Sequence, residues 1–268
     1  MKIPAPLLAL VVLASGCTTV PETGRRQLML VSPSEEAGMG LETFAQLKKA
    51  EKVSLDDDTH ARIQRIGRRI AQSVGRELPN AQWEFVVFES DQLNAFALPG
   101  GKVGISTGLI TLAENDDQLA AVIGHEVAHV SSRHGAERTS QNLAVAGVGL
   151  LAQVGMDAKD VDPAKRNAIL AAYGVGASVG LMLPYSRLHE TEADAVGLRF
   201  AAGAGYDPRA AAAFWLRMAA ANKGGARPPE FLSTHPAEAT RIKSLQELAP
   251  RYLPLYESAR AKYEAEQP

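Results

Sequence analysis

The run Val122-Ile-Gly-His125-Glu126-Val-Ala-His129-Val130 constrains this chain more than any other feature of its sequence. Residues four apart lie above one another on a helix, so His125 and His129 can turn imidazole nitrogens toward one ion about 2 Å from each. Glu126 sits one step round from that axis, near enough to hold a water on such an ion without replacing it. The apolar neighbours require the helix to be buried, and its start is marked. Asn115 can cap it, Gln118 stands at the third helical position of a capping box, and Asp116 and Asp117 suit the positive first turn. Two core histidines with an accidental glutamate would give the same letters. The apolar, well-capped setting, and only 6 histidines in the whole chain, weigh against that.

A catalytic zinc needs three protein ligands and one open position for water, so a further donor must come from outside the run. The candidates are His60, His134, His189, His235 and the acidic residues. His134 lies five residues past His129, on another face or beyond the helix end, and suits a surface or helix-end position. The run His189-Glu190-Thr-Glu192-Ala-Asp194 is richer. Glu190 and Asp194 share a helical face, so one carboxylate can ligate zinc while the other accepts the distal N–H of a zinc-bound histidine. Glu192 points elsewhere, toward solvent or a salt-bridge partner. On chemistry alone His189 rivals Glu190 as the ligand.

The N-terminus is unlike the rest. Met1-Lys2 precedes the apolar run Leu7-Leu-Ala-Leu-Val-Val-Leu13 and then Ala14-Ser15-Gly16-Cys17. A basic start, a hydrophobic stretch too short to span a bilayer and small residues before a cut site describe a signal peptide over residues 1–16. Cys17 is the only cysteine and cannot form an intrachain disulfide. Its setting resembles the lipobox of bacterial lipoproteins, which implies acylation of the thiol and attachment to a lipid membrane. Thr18 after it resembles the outer-membrane sorting pattern, so the expected location is the periplasmic face of a bacterial outer membrane. Residues 17–33 then form the lipidated N-terminus and a linker, polar from Thr18 to about Gln27. With 28 basic residues against 30 acidic, the chain lacks the concentrated positive charge of a nucleic-acid binder.

Two helical patterns occupy residues 34–74. Phe44 and Leu47 mark the first; Ile63, Ile66, Ile70 and Val74 form one stripe of the second, opposite a solvated face of Arg62, Arg65, Arg68 and Arg69. Residues 83–88, 93–98 and 102–106 read as strands, the last two joined by a turn at Pro99-Gly100-Gly101. From Asp116 onward the chain reads as helical. The Ala, Gly and Leu-rich stretches 143–156 and 168–183 are too short to span a membrane, and Gly147, Gly149, Gly174, Gly176 and Gly180 suit close packing in a buried hairpin. A hairpin dipping into a bilayer surface is the alternative.

His125-Glu-x-x-His129 with Glu190-x-x-x-Asp194, preceded by Leu183-Pro-Tyr-Ser-Arg187 and followed by Ser233-Thr-His235-Pro236, resembles the HtpX and CAAX prenyl protease family of zinc metallopeptidases. The likeness is strongest to its bacterial lipoprotein branch, related to LoiP and YcaL, and extends from about Leu41 to Leu248. It implies an α+β, zincin-like fold, mostly helical, with a small mixed β-sheet whose edge strand borders the active-site cleft, and a single peptidase domain over residues 34–268. It implies one Zn2+ held by His125, His129 and Glu190, with Asp194 orienting a ligand, Glu126 as the general base, and His235 as either an oxyanion donor or a reversible fourth ligand. Asn94, Ala95, Phe96 and Ala97 then correspond to the strand that binds substrate. Arg241 either supports the site or pairs with Glu238. The expected activity is hydrolysis of peptide bonds in periplasmic or membrane-associated proteins, misfolded ones included. The rival is a lipoprotein chaperone or outer-membrane assembly factor with a latent, self-inhibited zinc site, and outer-membrane assembly machinery is the partner it would serve.

Overall fold

A computed structural model describes residues 17–20, 23–221, 230–237 and 239–265. The expected signal peptide over 1–16, Glu238 and the Gly-Pro-rich stretch 222–229 lie outside them. In chain order the elements are β1 (Cys17–Thr19), β2 (Arg26–Leu28), α1 (Pro33–Ala50), α2 (Asp57–Val74), β3 (Glu84–Phe88), β4 (Ala95–Leu98), β5 (Lys102–Ser106) and α3 (Thr107–Leu112). There follow α4 (Asp116–Ser131), α5 (His134–Asp157), α6 (Pro163–Ala177), α7 (Leu183–Gly203), α8 (Ala210–Ala221), α9 (Glu230–Thr234), α10 (Ala239–Leu248) and α11 (Leu253–Ala265). The architecture is mostly helical with a small mixed sheet, the class the sequence implies. Two compact units emerge: Met1–Pro33 with Arg133–Glu190, and Ser34–Ser132 with Thr191–Pro268.

The second unit holds the sheet and the core. Its three strands run in the order β3-β5-β4; β3 is parallel to β5, and β4 antiparallel to it with Ala95 opposite Ile105 and Leu98 opposite Lys102. Central β5 is wholly buried, and β4 lies at the edge. Gly100 and Gly101 make the turn between them at φ 88 and 84, a region that costs glycine nothing and other residues strain. On α2 the isoleucine stripe is sealed, with Ile63, Ile66 and Ile70 fully buried, and Asp56 caps the helix by accepting from the Asp58 and Thr59 N–H groups. Its arginine face is more engaged than expected. Arg62 and Arg65 donate to the two oxygens of Asp116 at 2.6 and 2.7 Å, and Arg69 lies over the Tyr263 ring at 4.4 Å.

Helix α4 forms as its sequence dictates. The Asn115 side chain accepts from the Gln118 N–H at 3.0 Å, and the Gln118 side chain reaches back one residue further than a standard capping box, to the Glu114 N–H. The helix packs against β4, α2 and α8, so nearly all its side chains are buried. It also meets the later half of α7 closely, at two glycines. A Cβ on Gly124 would stand 2.8 Å from the Gly197 carbonyl oxygen, and one on Gly197 would stand 2.8 Å from the His125 nitrogen. No real Cβ tolerates such distances, so only this pair lets the two backbones approach as they do.

The first unit begins with a two-stranded ribbon. β1 pairs antiparallel with β2, Cys17 opposite Leu28 and Thr19 opposite Arg26, so part of the stretch read as a polar tether is ordered. Helices α5 and α6 form the expected hairpin, with Asp162 capping α6 and the Tyr173 hydroxyl donating to the Val145 carbonyl. It is not buried, however. No residue of α6 is buried, Leu150, Leu151, Val154 and Val175 are each more than half exposed, and Cβ atoms on Gly147, Gly174, Gly176 or Gly180 would meet nothing within 4 Å. Small residues permit close packing but do not supply the partner. Among the described residues no helix is long and apolar enough to cross a membrane.

Replacing Gly197 by Ala should cost about 1–3 kcal/mol of stability through overpacking against the His125 backbone, whereas Gly147→Ala, facing open space in a helix, should be neutral or stabilising by about 0.5–1 kcal/mol. Urea denaturation of the two variants measures the contrast, and equal midpoints would contradict it.

Candidate metal centre

The i, i+4 spacing on α4 does what the helical repeat requires. His125 and His129 present their rings on one face, centroids 4.7 Å apart, with the two Nε2 atoms 3.1 Å from each other. A third imidazole joins them: the His235 Nδ1 is 3.3 Å from the His125 Nε2. His235 follows the short helix α9, where its N–H donates to the Phe231 carbonyl at 2.8 Å and its ring lies 4.7 Å from that of Phe231. One ligand atom from each of His125, His129, Glu190 and His235 lies within 4.8 Å of the others. His125 and Glu190 are buried; His129 and His235 are half-buried.

The donor chemistry fits zinc. A tetrahedral ion with bonds of roughly 2.0–2.1 Å has ligand atoms about 3.3 Å apart, and the nitrogen separations of 3.1 and 3.3 Å match that edge. Imidazole nitrogens with a carboxylate oxygen form the borderline-soft set this ion favours.

Asp194, four residues after Glu190 on α7, turns its Oδ1 to the His125 Nδ1 at 3.1 Å. The bond requires the proton on Nδ1 and leaves the Nε2 lone pair facing the other donors, the tautomer a metal ligand needs. Asp194 is itself clamped by Arg241, whose Nε and Nη2 donate to its two oxygens at 2.6 and 2.7 Å. Burial pushes this carboxyl up, but the bonds from Arg241 and His125 outweigh it and hold it below the usual carboxylate range. The guanidinium lies 3.8 Å from the centroid of the Trp215 ring. Its Nη2 stands 3.3 and 3.2 Å from the two ring nitrogens of His125, which reads as stacking on the ring, since Asp194 already occupies the in-plane direction at Nδ1.

Glu126 is buried, with its Oε1 3.5 Å from the His235 Nε2. Ala95 of β4 is buried against the core, and the Phe96 ring packs between Phe44 and Phe88 at centroid distances of 6.3 and 6.0 Å. Asn94 is occupied by the sheet, its N–H and carbonyl both bonded to Ser106.

Other expectations change. His134 begins α5 as a helix-end residue but is fully buried, its ring stacked on that of His189 at 4.2 Å. The ring nitrogen of His189 is 2.9 Å from Glu137, away from the four-donor cluster. Glu192 is buried, not solvent-facing. Arg241, whose role was open, pairs with Asp194 and so supports the site; Glu238 lies outside the described residues. Trp215 was missed, because an aromatic on a helix of alanines signals core and nothing more.

A model of the family described as Peptidase family M48 matches residues 57–249. Over 234 residues the chain is 33% identical to mitochondrial metalloendopeptidase OMA1 of Schizosaccharomyces pombe, covering 86% of this chain and 66% of that protein. It is 30% identical over 255 residues to mitochondrial metalloendopeptidase OMA1 of Saccharomyces cerevisiae, covering 89% of this chain and 71% of that one. It is 27% identical over 245 residues to the beta-barrel assembly-enhancing protease of Escherichia coli K12, covering 90% of this chain and 49% of that one. The chain thus spans between about half and seven tenths of the length of these relatives, which come from both mitochondria and bacteria. With a match running from Asp57 on α2 to Ala249 after α10, and so through every residue of the four-donor cluster, the chain belongs to peptidase family M48.

Proposed function

We propose that the protein is a zinc-dependent endopeptidase of the bacterial lipoprotein branch resembling LoiP and YcaL, acting on periplasmic or membrane-associated proteins, misfolded ones included. The observation that carries this is the convergence of His125, His129, Glu190 and His235 beside the buried Glu126. His125, His129 and Glu190 would hold the ion. Bound zinc supplies Lewis acidity toward a peptide carbonyl and lowers the pKa of water toward neutrality. Glu126 takes the proton from the attacking water and delivers it to the leaving amine. Asp194 keeps the His125 Nδ1 protonated and its ring fixed, and Arg241 keeps Asp194 charged. Substrate binds as an added strand along Asn94–Ala97, where β4 offers the sheet's edge to any extended peptide regardless of side chains. Phe96 serves that role from its other face, holding the strand to the Phe44 and Phe88 cluster.

A closed resting state has its own support. His235 lies within the donor set, and four protein ligands leave no position for water. His235 is therefore the resting fourth ligand, and substrate must displace it. In that closed, self-inhibited state the protein would act as a chaperone or assembly factor for the outer membrane, a role in keeping with the name of its Escherichia coli relative.

The protein is held at the periplasmic face of the outer membrane by acyl chains on Cys17. In the same compact unit the open apolar surface of α5 and α6 suits contact with that lipid surface.

Purified mature protein should bind about one zinc per chain and cleave casein. Glu126→Gln should retain the metal and lose cleavage by at least about 100-fold, in the range expected of a general base; unchanged cleavage would remove Glu126 from that role. Opening the fourth position by His235→Ala should raise the casein rate several-fold, whereas a fall would assign His235 as an oxyanion donor. Cys17→Ala should move the protein from the membrane to the soluble fraction of lysed cells, and unchanged fractionation would refute the anchor.

A further inference from the structure

His189 stands directly before Glu190 on α7 and is 4% exposed. Its Nε2 is 2.9 Å from the Glu137 Oε2. The same carboxylate receives the Arg25 Nη1 and Nη2 at 2.8 and 2.7 Å, one on each oxygen, and the Gln27 Nε2 at 3.2 Å. An ionised carboxylate has about four lone-pair sites, so these bonds saturate it. His134 closes the other side of His189, its ring stacked at 4.2 Å and 12° from parallel.

Three stretches far apart in sequence thus converge on a carboxylate 1% exposed: the β1–β2 ribbon, the first turn of α5, and α7 where Glu190 stands. Burial pushes the Glu137 carboxyl up, but the bonds from His189 and Arg25 win and hold it down to about 2. A buried charge is kept only where its partners are complete, and the complete set here fixes the His189 ring from two sides. Consecutive residues of a helix share one rigid backbone, so holding His189 in place also holds the Cα of Glu190.

We propose that Glu137 is a positioning residue of the metal centre: clamped by Arg25, it fixes His189 and so sets where α7 presents the Glu190 carboxylate. The ligand geometry then depends on residues 25–27 being seated against α5, although they precede His125 by about a hundred positions. This rests on Glu190 being a zinc ligand, so the test separates the two. Its readouts are zinc affinity, by competition with a chromophoric chelator, and the visible bands of the Co2+-substituted protein.

Glu190→Ala must weaken zinc binding and shift the Co2+ bands; if it does neither, the ligand assignment itself fails. With that control in place, Glu137→Gln and Arg25→Ala should each weaken zinc binding about 10–100-fold, the effect typical of removing an outer support of a ligand, and shift the Co2+ bands in the folded protein. Arg25→Lys, which keeps the charge and loses the two-pronged grip, should fall between wild type and Arg25→Ala and serves if either harsher variant does not fold. Wild-type affinity and bands in folded Glu137→Gln, Arg25→Ala or Arg25→Lys, with only the melting temperature lowered, would reduce the cluster to a structural role and overturn the proposal.

Discussion

Imidazole lone pairs aimed at one another from 3.1 Å repel unless a cation or proton lies between them, and much of this molecule holds three imidazoles and a carboxylate in that arrangement. The helical repeat brings His125 and His129 together at no cost, because the spacing is intrinsic to α4. Everything else must be imposed. The Gly124–Gly197 contact admits α7 closely enough for Asp194 to reach the His125 Nδ1, and the Trp215–Arg241 stack secures the Asp194 clamp from outside. A larger residue at either glycine separates two backbones whose spacing decides which tautomer His125 adopts.

Helix α7 carries two similar constructions within a few residues. Asp194 is held by an arginine and gripped by a histidine, and Glu137 holds His189 in the same manner, with its own arginine behind it. Glu190 stands between the two points of attachment. Both carboxylates are almost fully buried, a setting in which an unpaired charge costs several kcal/mol, so each arginine is obligatory once its carboxylate is in place. Such pairs add little net stability compared with apolar packing, yet they fix orientation, and orientation is what a ligand set requires.

The surface is divided in the same spirit. β4 stands at the edge of the sheet, where its backbone groups have no further strand beside them among the described residues, while core packing through Ala95 and ring packing through Phe96 face inward. The α5–α6 hairpin does the opposite, leaving leucines and valines open over most of its length. Its turn is strongly polar, with Asp157, Lys159, Asp160 and Asp162 followed by Lys165 and Arg166. The ribbon at Cys17 packs on the base of that hairpin, so Cys17 and the apolar helices belong to the same piece of the molecule.

Read alone, the sequence determined what depends on neighbours within a turn or two. The isoleucine stripe of α2, the Asn115 cap, the Pro-Gly-Gly turn and the histidine pair on α4 all follow from periodicity and side-chain chemistry that act locally. Glu190 and Asp194 were legible for the same reason, as two carboxylates on one helical face. Tertiary structure alone decided that Arg241 reaches Asp194, that His134 and Glu192 are buried, and that the Gly-rich hairpin is left uncovered. It alone brought Arg25 and Gln27 to Glu137 across more than a hundred residues. A glycine-rich apolar helix reads the same whether its face meets a neighbour or none, and a buried carboxylate can be satisfied by any arginine that reaches it. Those outcomes depend on which elements stack, a global choice that no local pattern encodes.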